Sequence, residues 1–170
     1  DVVIWNNVSG DVLTLDQRAA FEDYIRGGGA FLGVHGSAGD HSYYWDWYVD
    51  DLLGARFIGH SMNPQFQDAQ VAMEDKSFAK AADLPKQWTL KEEWYSFAQS
   101  PREGGAKIVA TIDESSYNPG NMMGRELAMG DHPVAWTRCV GDGRMFYSSI
   151  GHMPENYADE RVKALYAEGV

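Results

Sequence analysis

An α/β fold with a parallel sheet is predicted by two apolar runs and the helical pattern between them. Ala30 to Val34, within the stretch GAFLGVHGSAGD from Gly29 to Asp40, consists only of apolar residues and Gly, as expected of a strand buried on both faces of a parallel sheet. Val2-Val3-Ile4-Trp5 reads the same way, as a buried strand. Strand, helix and strand in this order make a right-handed βαβ unit. The carboxyl ends of such strands are where open α/β sheets bind ligands, and the second strand delivers one polar side chain there, His35.

The intervening helix is marked at both ends. Thr14 and Gln17 have capping-box spacing, Phe21, Tyr24 and Ile25 recur at helical intervals, and Gly27-Gly28-Gly29 supplies the stop. The aromatic run Tyr43-Tyr44-Trp45-Asp46-Trp47-Tyr48 then leads through Val49, Leu52 and Leu53 into a helix that ends at Gly54. Strands are expected over 55–58, 70–74, 88–97 and 107–113, separated by loops containing Pro, Gly or Ser. The long stretch 114–131 has no clean period, and loops of that size are usually functional or disordered. Pro133 to Val140, a Gly-Asp-Gly turn and Arg144 to Ile150 form an antiparallel pair, and a closing helix from about Asp159 carries Val162, Leu165 and Tyr166.

Composition narrows the function. The 170 residues suit one domain, expected over 1–170. A net charge of −11 repels a phosphate backbone, so neither nucleic acid nor an anionic membrane surface is expected as a partner. No apolar stretch approaches the ~20 residues of a membrane span. The chain begins at Asp1, already inside an apolar run, so the lack of a visible leader leaves the compartment open between cytoplasm and periplasm or exterior. The single cysteine, Cys139, excludes an internal disulfide, and its place in a strand predicts a buried packing role.

Four of the five histidines share one setting. His35, His60 and His152 each close an apolar run beside a glycine, and His132 directly precedes a strand in Asp131-His132-Pro133. If the strands before His35 and His152 are neighbours, these two side chains leave the same sheet edge. Three roles fit such a cluster. Histidine works as a general acid or base near neutrality, with a carboxylate such as Glu93 or Asp131 setting its tautomer. His35, His60, His132 and His152 are also candidate ligands of a divalent metal ion, although no HExxH or similar local pair is present. The third role is structural, each ring capping a strand end. His41, in a polar loop, is the least suited to act. Trp45 and Trp47 belong to an aromatic run that could form a flat platform for a sugar ring, a core, or a subunit contact. Gly36-Ser37-Ala38-Gly39 lacks phosphate-loop spacing and is followed by Asp40, so no nucleotide cofactor is expected. No GxSxG elbow is present.

These residues carry a family resemblance. Gly10 to Thr14, Gly29 to Gly36, Trp45-Trp47-Tyr48 with Leu53-Gly54-Ala55, Gly59-His60, Asp83-Leu84-Pro85, Glu92-Glu93-Trp94-Tyr95, Thr111 to Ser115, Asp131 to Trp136 and Gly151-His152 match, in order, segments of the ThuA-like (trehalose utilisation) family. The chain resembles this branch of the class I glutamine amidotransferase-like fold. The resemblance implies a flavodoxin-like three-layer sandwich with a mostly parallel central sheet, here without the strand and helix that usually precede Val2. Phe31 to His35 looks like the amidotransferase nucleophile segment with His35 where the cysteine would stand, and Ile150 to Glu155 resembles the segment holding that triad's His and Glu. Thioester chemistry is therefore not expected.

The family's association with sugar catabolism implies a saccharide or keto-sugar substrate, with a homo-oligomer or a sugar dehydrogenase-like protein as possible partner. On this basis the expected catalytic residues are His35, His152, Glu93 and Asp131. Trp45, Trp47, His60, Trp94, Tyr95 and His132 are expected to bind substrate. An insertion over 121–130, with Met122, Met123, Arg125, Glu126 and Met129, is expected to alter the cleft rim. The competing expectation is a carbohydrate-binding or assembly domain without catalysis.

Overall fold

The computed structural model describes residues 1–38, 45–75, 77, 81–167 and 169. The glycine loop at Gly39-Asp40, His41, and Tyr43-Tyr44 at the head of the aromatic run therefore lie outside the described residues. Strand β1 (Val2–Asn6), helix α1 (Leu15–Arg26) and strand β2 (Ala30–Val34) form the expected βαβ unit, with Val2 to Asn6 paired in parallel to Ala30 to Val34. The capping box at Thr14 is closed in both directions: Gln17 N–H donates to Thr14 Oγ1 at 3.3 Å, and Thr14 N–H to Gln17 Oε1 at 2.9 Å. β1 is an edge strand, so Ile4 is half exposed where full burial was expected.

A π-helical segment (Trp47–Leu53), closed by Gly54 in the left-handed conformation, leads to β3 (Phe57–His60). The chain continues through β4 (Gln67–Met73), β5 (Gln87–Glu92), β6 (Tyr95–Phe97) and β7 (Lys107–Asp113). The stretch expected as one loop over 114–131 contains a short hairpin, β8 (Asn121–Met122) and β9 (Arg125–Glu126). β10 (Pro133–Val140), β11 (Gly143–Ser148) and helix α2 (Glu160–Ala167) complete the chain.

The main sheet has the order β1-β2-β11-β10-β7-β4-β5. It is mixed: β1, β2 and β11 pair in parallel, while β11-β10, β10-β7, β7-β4 and β4-β5 pair antiparallel. The hairpin between Val140 and Gly143 is too short for a parallel crossover and forces the change of direction. Successive residues of β2 face opposite layers. Phe31 joins Phe21, Ile25, Tyr48, Leu52 and Trp136 beneath α1 and the π-helical segment; Leu32 and Val34 join Phe146, Ile150, Val162 and Leu165 beneath α2. This is a flavodoxin-like three-layer arrangement.

Two local expectations change. The run 88–97 is not one strand: β5 belongs to the main sheet and β6 pairs with β3 in a separate two-stranded sheet. The break falls at Glu93-Trp94, where the Glu92 carboxylate accepts the Glu93 N–H at 2.8 Å and the Trp94 indole donates to the Gln67 carbonyl at 2.9 Å. Cys139 is exposed rather than buried, because the end of β10 runs beyond the covering layers and alternation turns this residue outward. Among the described residues, no helix is long and apolar enough to cross a membrane.

Candidate active site

β2 ends in a strained turn. His35 has φ of 43°, a left-handed conformation that costs a non-glycine residue about 1–3 kcal/mol and persists only where its surroundings enforce it. Those surroundings are specific. The Tyr147 hydroxyl donates to the His35 carbonyl at 2.8 Å, Gly36 N–H to Asn7 Oδ1 at 2.9 Å, and Ser37 Oγ to the Trp5 carbonyl at 2.8 Å. Asn7 and Trp5 come from the neighbouring parallel strand and the loop after it, so the βαβ unit itself pins the turn. The His35 ring is buried and lies against Tyr95, with centroids 4.0 Å apart.

His152 leaves the same sheet edge, because β11 is the parallel neighbour of β2. It follows Gly151, whose φ of 143° favours glycine; a Cβ there would stand 2.6 Å from Val34 Cγ1. Glu92 holds this segment from the other side. Its buried carboxylate accepts from Gly151 N at 2.9 Å, Met153 N at 3.2 Å and Asn156 Nδ2 at 2.8 Å. The two adjacent glutamates thus divide the work: Glu92 shapes the loop and Glu93 faces the histidines.

Glu93 is the centre of the cluster. Its Oε2 lies 3.1 Å from His35 Nε2 and 3.1 Å from His152 Nδ1, and those two nitrogens are 3.3 Å apart. Its Oε1 accepts from Gln65 Nε2 and lies 3.4 Å from His60 Nδ1. Burial pushes the Glu93 carboxyl up, but hydrogen bonds from His35 and Gln65, with the charges of His60 and His35, outweigh it and hold the group down at about 2. Burial, reinforced by the Glu93 and Glu92 charges, raises the Tyr95 hydroxyl above its ordinary range, so it stays protonated. His35, Glu93 and Tyr95 are buried, whereas the His152 side chain is 41% exposed and opens the cluster to solvent.

The structure therefore brings together His35, His60, Glu93, Tyr95 and His152, and places the other expected residues elsewhere. Asp131 lies in a surface network, with Arg102 Nε at 3.0 Å and Ser100 Oγ at 2.6 Å. His132 is buried behind β6, its Nδ1 2.6 Å from Glu114 Oε1 and its Nε2 2.9 Å from the Tyr95 carbonyl. It supports the backbone of Tyr95, a site residue, rather than facing the cluster. Trp45 packs on Phe21 and Tyr48 and donates to Glu22 at 2.8 Å; Trp47 packs on Phe21 and Trp45; Trp94 is buried under β4 and β5. All three take packing positions.

Two residues that sequence reasoning missed stand in the site. Gln65 binds Glu93, and the part-exposed Phe66 meets the His152 ring edge-on with centroids 5.0 Å apart. Both lie in the loop between β3 and β4, where their nearness to Gly59-His60 was the only available signal. Glu155, matched by resemblance to a triad carboxylate, is exposed, and the carboxylate at His152 is Glu93. In the insertion, Met122 fills the space beside Gly59, and the hairpin borders a groove of about 500 Å³ with Arg56, Phe57 and Arg125. That groove's lining does not include the histidine cluster.

Comparison with known proteins agrees with this architecture. No curated protein matches the chain. Among solved structures, a ThuA-like protein from Bacteroides uniformis is 25% identical with a TM-score of 0.79, covering 99% of this chain and 66% of that one. A ThuA-like protein from Parabacteroides merdae is 16% identical with a TM-score of 0.67, covering 99% and 70%. This chain thus spans about two thirds of the length of those relatives. A β-galactosidase from Bacillus circulans sp. alkalophilus shares the fold over 99% of this chain and 21% of its own, at 10% identity and a TM-score of 0.52. The family model described as ThuA, trehalose utilisation, matches residues 1–170, and the chain belongs to that family.

Proposed function

We propose that this chain acts on a saccharide or keto-sugar, with His152, Glu93 and His35 carrying acid–base chemistry. Family membership points to sugar metabolism in general. The observation that supports a catalytic reading is the contact of His35, Glu93 and His152 at the carboxyl ends of two adjacent parallel strands, with one ring open to solvent. His152 is the group that meets substrate and moves a proton. Glu93 fixes its Nδ1 and stabilises the charge that forms on the ring. Phe66, beside His152, offers the apolar face for a sugar ring that the buried tryptophans do not. Amidotransferase chemistry is not part of the proposal, since His35 occupies the nucleophile position and the lone thiol, Cys139, sits on another strand.

Turnover of keto-sugar and disaccharide candidates tests the proposal. His35→Ala and His152→Ala should each lower the rate by roughly a hundredfold or more, as loss of a general acid or base does. Unchanged turnover in both variants would exclude it. The alternative of a non-catalytic carbohydrate-binding domain draws on the missing nucleophile, and saturable sugar binding without turnover would favour it.

A further inference from the structure

We propose that His35 Nε2, Glu93 Oε2 and His152 Nδ1 form a site for one divalent first-row transition ion. It deepens the sugar reading above: with an ion held by these three side chains, water bound to the ion, rather than the His152 ring, would supply the acid–base group, and the site itself stands on ligand geometry. The three atoms form a triangle with edges of 3.1, 3.1 and 3.3 Å. Metal–ligand bonds of about 2.0–2.2 Å at tetrahedral or octahedral angles place neighbouring ligand atoms roughly 2.8–3.6 Å apart. The circle through the three atoms has a radius of about 1.8 Å, so an ion about 2.1 Å from each would lie about 1 Å out of their plane. Three protein ligands on one side leave positions open for water or a sugar hydroxyl, the pattern of catalytic rather than structural sites.

His35 Nδ1 lies 2.6 Å from the Ser149 carbonyl, an acceptor, so Nδ1 is engaged there and Nε2 is the ring atom that faces Glu93 and His152. The three facing atoms meet pairwise, and one cation bonded to all three would satisfy them together. The surroundings are those of a prepared ligand set. A backbone carbonyl fixes the His35 tautomer, Gln65 and His60 occupy the other Glu93 oxygen, and the Tyr95 ring backs His35. Two imidazoles and one carboxylate suit zinc, iron(II), manganese(II) or cobalt(II) better than calcium or magnesium.

The test is titration of chelator-stripped protein with cobalt(II), read by its visible d–d absorption, and with zinc(II), read by competition against a chromophoric chelator. Wild type should take up one equivalent. His152→Ala, at a part-exposed position that tolerates truncation, and Glu93→Gln, which keeps the side-chain shape, should each weaken binding by about a hundredfold or more with an unchanged circular dichroism spectrum. Uptake below about a tenth of an equivalent by wild type, or equal affinity in the variants, would overturn the site. Cobalt binding without turnover of any sugar would retire the sugar-enzyme reading and leave the metal site standing. Sugar turnover by protein that takes up neither ion would do the reverse.

Discussion

Replacing Glu92 tests whether this carboxylate, rather than its neighbour, builds the His152 loop. The side chain is fully buried; Oε1 accepts the N–H groups of Glu93 and Met153, and Oε2 accepts Gly151 N–H and the Asn156 amide. Glu92→Gln keeps the volume but places an NH2 group at one of the two ends, where it faces two donors. Two hydrogen bonds are lost, at about 1–2 kcal/mol each once buried donors lack partners, giving about 2–4 kcal/mol. For a domain of this size that lowers Tm by roughly 5–15 °C. Thermal unfolding followed by circular dichroism reads the shift. Asn156→Ala in the Glu92→Gln background should cost less than Asn156→Ala alone, because the shared bond is already weakened. A Tm change below about 2 °C in Glu92→Gln would show that water or loop movement replaces the lost acceptor, and the clamp would be refuted.

Three further outcomes follow from single contacts. Burial raises the Glu114 carboxyl, but the His132 hydrogen bond and the Met129 and Gly130 N–H groups outweigh it and hold it at about 2, against an ordinary value of 4.5. Below 4.5 the unfolded chain takes the proton first, so this stabilisation is full above pH 4.5 and drains away as pH falls toward 2; denaturant melts across that window should show a steeper loss in wild type than in Glu114→Gln. Gly151→Ala places a methyl group 2.6 Å from Val34 Cγ1 at a φ of 143°, and should destabilise by about 2–4 kcal/mol in chemical denaturation. Cys139, exposed on β10, should react with a disulfide reagent in the native protein at one thiol per chain, without denaturant.

What was legible in the sequence was local. The capping box, the glycine stop and the two apolar runs each act over a few residues, so the βαβ unit followed from them directly. The Gly-Asp-Gly turn did the same for the last hairpin. His35 and His152 could be paired in advance because a strand's carboxyl end is read from where its apolar run stops. Glu93 stood out as a carboxylate in an aromatic run, but nothing local separated it from Glu92 or Asp131.

Only the tertiary structure decided among those, because the contacts that choose them span 58 residues from His35 to Glu93 and 117 from His35 to His152. Alternation across 88–97 looks the same whether the chain stays in one sheet or crosses to another, so the break that turns Glu93 toward His35 left no pattern. Trp45 and Trp94 read equally well as a sugar platform or as core, since an indole's area favours either, and burial alone assigned them to packing. Gln65 and Phe66 carry no motif; a loop brings them beside Glu93 and His152 after β3 and β4 have joined different sheets. Side-chain chemistry and short-range periodicity are written in the order of residues. The triangle of His35, Glu93 and His152 exists only once the sheet has set β2 beside β11.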